Sequence, residues 1–109
     1  MRLIGIDPGT GILGFGVIDV LLNGKLRMVT AGVVRTPAHT PLPERLEEIY
    51  RSLNEIIDET RPNIMAIEKL FFTTNQKTAI DVAQARGIIM LCAKKNNADV
   101  FEYTPLQVK

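Results

Sequence analysis

Cysteine and histidine are almost missing from this chain, net charge is slight, and no hydrophobic run is long. One cysteine, Cys92, in 109 residues rules out an internal disulfide and any zinc cluster built on cysteines. Its neighbours Leu91 and Ala93 mark it as a small buried hydrophobe rather than a reactive thiol. The single histidine, His39, stands among the three prolines of residues 37–43, a loop with no second histidine to complete a metal site. No apolar stretch reaches membrane-spanning length, and the start lacks the basic-then-apolar layout of a secretory leader. A cytoplasmic protein without membrane association is expected. Repeats and low-complexity tracts are absent, so residues 1–109 read as one small domain with one core.

A formal net charge of +1 does not announce a nucleic-acid binder, but the distribution says more. Between Pro41 and Arg61 six carboxylates (Glu44, Glu47, Glu48, Glu55, Asp58 and Glu59) face three arginines. Between Pro62 and Asn97 the balance turns mildly basic, with Lys69, Lys77, Arg86, Lys94 and Lys95 against Glu68 and Asp81. Any DNA should meet the second region and avoid the first.

Hydrophobic periodicity orders the elements. Arg2–Asp7 is a short apolar run stopped by Pro8-Gly9, which reads as a buried strand. Gly14–Leu22 and Leu26–Thr36 read as two strands of a hairpin. Asn23-Gly24 is the turn signal, with positive φ expected at both residues. Leu46, Ile49, Tyr50, Leu53, Ile56 and Ile57 recur at helical spacing with charges between them. Asn63–Leu70 is a second apolar strand. Thr73-Thr74-Asn75 can cap a helix from about Gln76 to Lys95. Val100–Tyr103 gives a last strand, and Thr104-Pro105 a helix start. The order β-β-β-α-β-α-β describes an α/β fold. A hairpin arm and parallel strands share one mixed five-stranded sheet, with helices packed on it through right-handed crossovers.

The second helix is apolar nearly all round from Val82 to Ala93, so it needs cover on more than one side. Another segment of the chain or a partner subunit would supply it. Ala85 and Ile89 are where a charge should separate a pair of copies.

Three features can carry chemistry. Gly9-Thr10-Gly11-Ile12-Leu13-Gly14 matches the dinucleotide fingerprint in form, but it leads into a strand-like segment and no acid follows at the ribose position. Asp7 and Glu68 each end an apolar strand. If those strands are parallel neighbours, both carboxylates emerge at one end of the sheet, where a hard divalent cation relieves their repulsion. Equally, Asp7 can belong to an Asp-Pro-Gly turn and Glu68 can pair with a lysine. Finally, Phe71 and Phe72 follow Glu68 in a loop, where an exposed ring can stack on an unpaired base or wedge into a base step. The helix start behind them offers main-chain N–H groups to a phosphate.

These residues carry a family resemblance. Ile4-Gly5-Ile6-Asp7-Pro8-Gly9-Thr10 resembles the opening motif of RuvC-type Holliday-junction resolvases. Ala66-Ile67-Glu68-Lys69-Leu70-Phe71, Gln84-Ala85-Arg86-Gly87 and Phe101-Glu102-Tyr103-Thr104-Pro105 with Val108-Lys109 follow in family order across the whole chain. The resemblance implies a ribonuclease H-like fold and a homodimer that binds four-way DNA junctions and cuts two strands symmetrically in recombination and repair. It also implies magnesium or manganese held by four acids, of which Asp7 and Glu68 match two, and a branch-migration motor complex as a candidate partner. Phe71 matches the aromatic near the branch point. Phe72, Asn75, Lys77, Arg86 and Lys109 are the other expected DNA contacts. The remaining two acids lie in the family on a C-terminal helix beyond Lys109, so the chain is expected to be truncated and inactive alone. An actin-like ATPase lobe holding phosphate with Asp7, Gly9 and Thr10, and a non-catalytic DNA-binding scaffold, are the competing readings.

Overall fold

Seven elements form close to where the hydrophobic pattern places them: β1 (Arg2–Asp7), β2 (Ile12–Val20), β3 (Leu26–Arg35), α1 (Leu42–Thr60), β4 (Ile64–Glu68), α2 (Gln76–Lys95) and β5 (Asp99–Tyr103). The computed structural model describes residues 1–8, 11–37, 39–69 and 76–103, and for residues 76–78 the main chain only. The five strands form one sheet in the order β3-β2-β1-β4-β5. β2 runs antiparallel to both β1 and β3, while β4 pairs parallel with both β1 and β5. This is the mixed sheet with a hairpin arm that the element order implies. The Thr104-Pro105 helix start lies outside the described residues.

The hairpin turn differs from the expected two-residue form. The Leu21 N–H donates to the Lys25 carbonyl at 2.8 Å and the Gly24 N–H to the Leu21 carbonyl at 2.9 Å, so Leu22, Asn23 and Gly24 span the loop. Gly24 alone takes positive φ, at 81°. With three residues to close the loop, Asn23 needs no left-handed backbone. Its side-chain oxygen accepts instead from the Lys25 N–H at 3.0 Å.

Both helices cover one face of the sheet. Ile4, Ile6, Leu13, Val17, Met65 and Ile67 from the strands pack with Ile49, Leu53 and Ile57 of α1 and with Ala85, Ile89, Cys92 and Ala93 of α2. Each fully buried aliphatic side chain contributes roughly 1.5–3 kcal/mol. Sharp helix ends then return the chain to the sheet. Arg61 stops α1 in the left-handed region, with its N–H on the Ile57 carbonyl and Pro62 behind it. Asn97, at φ 62°, does the same for α2, where the Asn97 and Ala98 N–H groups reach back to Lys94 and Ala93.

Asn63 aligns the strand starts, and through them the strand ends. Its side-chain oxygen accepts from the Arg2 N–H, its own N–H donates to the Arg2 carbonyl, and its carbonyl accepts from the Asp99 N–H. Arg2 in turn grips Asp19 on β2 and the Thr60 carbonyl at the end of α1. Hydrogen bonds from Arg2 and Arg27 hold the Asp19 carboxyl far below the ordinary carboxylate range. Because the folded pKa is depressed, the contribution is complete above the unfolded value near ~4 and fades as pH falls below it. Asp19→Asn should therefore lower Tm at pH 7, and its gap to the parent should narrow steadily as pH falls below ~4. Thermal melts across that range measure it, and an equal difference at both ends would refute the linkage.

Candidate metal and nucleic-acid site

Alternation along β1 and β4 decides where the two candidate carboxylates point. Ile4 and Ile6 are buried under the helices, so Leu3, Gly5 and Asp7 lie on the opposite face. Met65 and Ile67 are likewise buried, which puts Ile64, Ala66 and Glu68 on that same opposite face. The parallel register runs from Leu3–Ile64 to Ile6–Ile67, and Asp7 and Glu68 are the next residues along. Both carboxylates thus stand on one face, at one end, of adjacent strands. Asp7 is exposed and Glu68 half-buried. Among the described residues no lysine or arginine lies within ion-pairing distance of either, so the lysine partner that would make Glu68 purely structural is not found there.

The residues beside the pair complete its surroundings. Gly14 is opposite Asp7 on β2 and leaves that flank without a side chain. Tyr103 is opposite Glu68 on β5, on the same face. Burial raises the Tyr103 phenol above its ordinary value, and the negative charges of Glu68 and Asp7 push it further in the same direction. Tyr103 is not among the site residues expected from sequence. The available signal is that a strand parallel to Asn63–Leu70 would end beside Glu68, with side chains alternating from Phe101 to Tyr103.

Oxygen donors of this kind suit a hard cation such as magnesium or manganese. Among the described residues no cluster of three or more potential ligands forms, so Asp7 and Glu68 stand as a pair. The pair opens onto a broad sheet face, where Phe101 is 58% exposed and Met28 and Val33 are also uncovered. A separate cavity of about 460 Å³ between the end of β3 and the start of α1 is lined by Arg35, Arg45, Arg51, Glu44, Glu47 and Glu48 among others, and by neither acid of the pair. The glycine-rich stretch after Asp7 runs into β2 and not into a helix, which removes the dinucleotide reading. Gly9 and Thr10 themselves lie outside the described residues.

The expected DNA contacts divide. Phe71, Phe72, Asn75 and Lys109 lie outside the described residues. Lys77 sits in the first turn of α2, which starts eight residues after Glu68, and its side chain is not described. Arg86 is placed differently from an open contact. Its side chain is only 14% exposed and pairs with Glu102 at 2.8 Å, and its Nε donates to the Glu68 carbonyl at 3.3 Å. The guanidinium is engaged within the protein because α2 lays it over the ends of β4 and β5.

The second helix also sorts its faces more finely than its composition does. Ala85 and Ile89 belong to the core, so they are not where a charge would separate a pair of copies. Both join the core cluster that the strands share with α1. The apolar surface left over is Ile80, 56% exposed, Leu91, 48% exposed, and the exposed Ala83 and Gly87 between them. Their spacing of three to four residues makes one outward stripe. Among the described residues no helix is long and apolar enough to cross a membrane.

Residues 3–109 match the family model for the crossover junction endodeoxyribonuclease RuvC. Crossover junction endodeoxyribonucleases RuvC of Alkaliphilus oremlandii and Fusobacterium nucleatum are 50% and 51% identical over all 109 residues. The chain spans 66% of the first and 57% of the second. Thermus thermophilus RuvC, solved in complex with a Holliday junction substrate, superposes with a TM-score of 0.92 at 34% identity, over 100% of this chain and 69% of that one. With the family model matched almost end to end and the fold reproduced, the chain belongs to the RuvC family of crossover junction endodeoxyribonucleases.

Proposed function

We propose that this protein is a metal-dependent endonuclease that binds four-way DNA junctions and cuts them symmetrically as a cytoplasmic homodimer. Asp7 and Glu68 would supply half of its metal ligands. The observation that supports this most is the placement of two carboxylates, unpaired among the described residues, side by side at the open end of parallel strands. Divalent metal held in part by Asp7 and Glu68 would supply water activation and charge neutralisation for an in-line displacement at phosphorus. Magnesium or manganese fits the oxygen donors.

The chain's own residues have distinct tasks in this reading. Asp7 and Glu68 present oxygens from two backbones that the Asn63 and Arg2 hydrogen bonds keep in register. Phe71 and Phe72, which fall between Glu68 and α2 in sequence, would stack at an opened branch point. Asn75, Lys77 and Lys109 would hold phosphates. The outward stripe Ile80–Leu91 of α2 is the surface for a second copy, and a two-fold dimer matches the symmetry of the junction. A branch-migration motor complex is a further proposed partner. The family match over residues 3–109 speaks for the nuclease over the actin-like ATPase lobe.

Manganese should bind weakly to the 109-residue chain, because two carboxylates are half of the expected ligand set. Paramagnetic broadening in an NMR titration should fall first on Asp7 and Glu68. Asp7→Asn should remove it at both residues. An unchanged titration in that variant would overturn the site.

A further inference from the structure

We infer that Arg86 is a positioning residue, which holds the Glu68 carboxylate in its metal-binding direction by clamping the end of β4 from the opposite face of the sheet. The inference rests on the metal site proposed above. Glu68 is the last residue of β4, and the parallel pairing with β1 stops one residue earlier, at Ile6–Ile67. A carboxylate at a strand end is only as well aimed as its own peptide planes. Two contacts fix the peptide plane that follows Glu68. The Lys69 N–H donates to the Tyr103 carbonyl at 2.6 Å, and the Glu68 carbonyl accepts from Arg86 Nε at 3.3 Å.

The guanidinium is itself held. Its other arm pairs with Glu102 at 2.8 Å. Glu102 alternates with Tyr103 along β5, so it points to the helix side while Tyr103 shares the face of Glu68. One planar fork from α2 thereby ties the ends of β4 and β5 together directly behind the candidate ligand. Only arginine can do this, because the two contacts need donors separated in a rigid plane. A lysine can keep the charge pair with Glu102, but as a point charge it does not also hold the carbonyl. Groups that orient ligands from behind contribute about 10–100-fold to metal affinity. Acting through the main chain, Arg86 belongs at the lower end.

The test is manganese affinity, read from the electron paramagnetic resonance signal of free Mn²⁺, with Tm measured alongside. Arg86→Gln should weaken binding by about tenfold. Arg86→Lys should recover most of the Tm but little of the affinity, because it restores the ion pair without the fork. Glu102→Gln, which keeps a hydrogen-bond acceptor, should fall between. If Arg86→Lys and Glu102→Gln are folded and bind manganese as the parent does, the clamp is refuted, and this holds even if Arg86→Gln fails to fold. Junction affinity lost with manganese affinity unchanged would also refute it, in favour of direct DNA contact. Asp7→Asn is the separate control: if it binds manganese like the parent, the metal site itself is wrong and the inference falls with it.

Discussion

A four-way DNA junction incubated with the 109-residue chain and magnesium should come through uncut. The same chain extended by a helix carrying the two further acids that the family resemblance implies should cut it. In-line displacement at phosphorus requires charge to be neutralised on both the attacking and the leaving oxygen, which two ions accomplish together. Asp7 and Glu68 can share one loosely held ion, and the described residues offer no third ligand beside them. In the longer protein Asp7→Asn should lower the cleavage rate by roughly 10³-fold or more, the rate equivalent of several kcal/mol of lost charge stabilisation. Gel analysis of an end-labelled junction under single-turnover conditions measures this. Chelator-sensitive cutting by the 109 residues alone would mean that other ligands complete the site.

Ile89→Asp should lower Tm steeply, whereas Leu91→Asp, two residues away, should leave the melt nearly unchanged. Ile89 is fully buried between the sheet and α1. An aspartate there loses the packing of the whole side chain and places a charge with no partner in the core. The combined cost is at least ~4 kcal/mol, a large fraction of the 5–15 kcal/mol that holds a typical domain together. Leu91 is half in solvent, and a charge there should shift monomer stability by no more than about 0.5 kcal/mol. Its effect should appear in sedimentation, as loss of any dimer formed through the outer stripe of α2. A Leu91→Asp protein that dimerises as tightly as the parent would remove that stripe from the interface. An Ile89→Asp protein with an unchanged melt would contradict the packing described for α2.

The contrast between Ile89 and Leu91 shows which features of the fold can be read from sequence and which cannot. The alternation of Ile4 with Ile6, and of Met65 with Ile67, carries its own period, so the strands and their buried face are legible without a structure. The position of Asp7 and Glu68 at strand ends is legible for the same reason, and the crossover rule then makes the strands parallel. In α2 the apolar residues leave no polar side to mark the outside, so periodicity cannot say which of Ala85, Gly87, Ile89 and Leu91 faces the sheet. Only packing against α1 and the sheet settles that. The hairpin loop is a smaller instance. Asn23-Gly24 signals a turn, but one extra residue in the loop changes the backbone that Asn23 adopts. Arg86 and Tyr103 take their places from contacts between elements far apart in the chain, and such contacts leave no local pattern to read.

The buried Cys92 gives the molecule a built-in clock for its own opening. Its sulfur lies between α1 and α2 with no solvent exposure, against the Tyr50 carbonyl, and burial pushes the thiol up to about 11. At neutral pH the native thiol is therefore both protonated and shielded, and a thiol-specific reagent has to wait for the helices to separate. The labelling rate then counts separations of α1 from α2, without any added probe. At high reagent concentration it reports how often the helices open, and at low concentration how much of the population is open at a given moment.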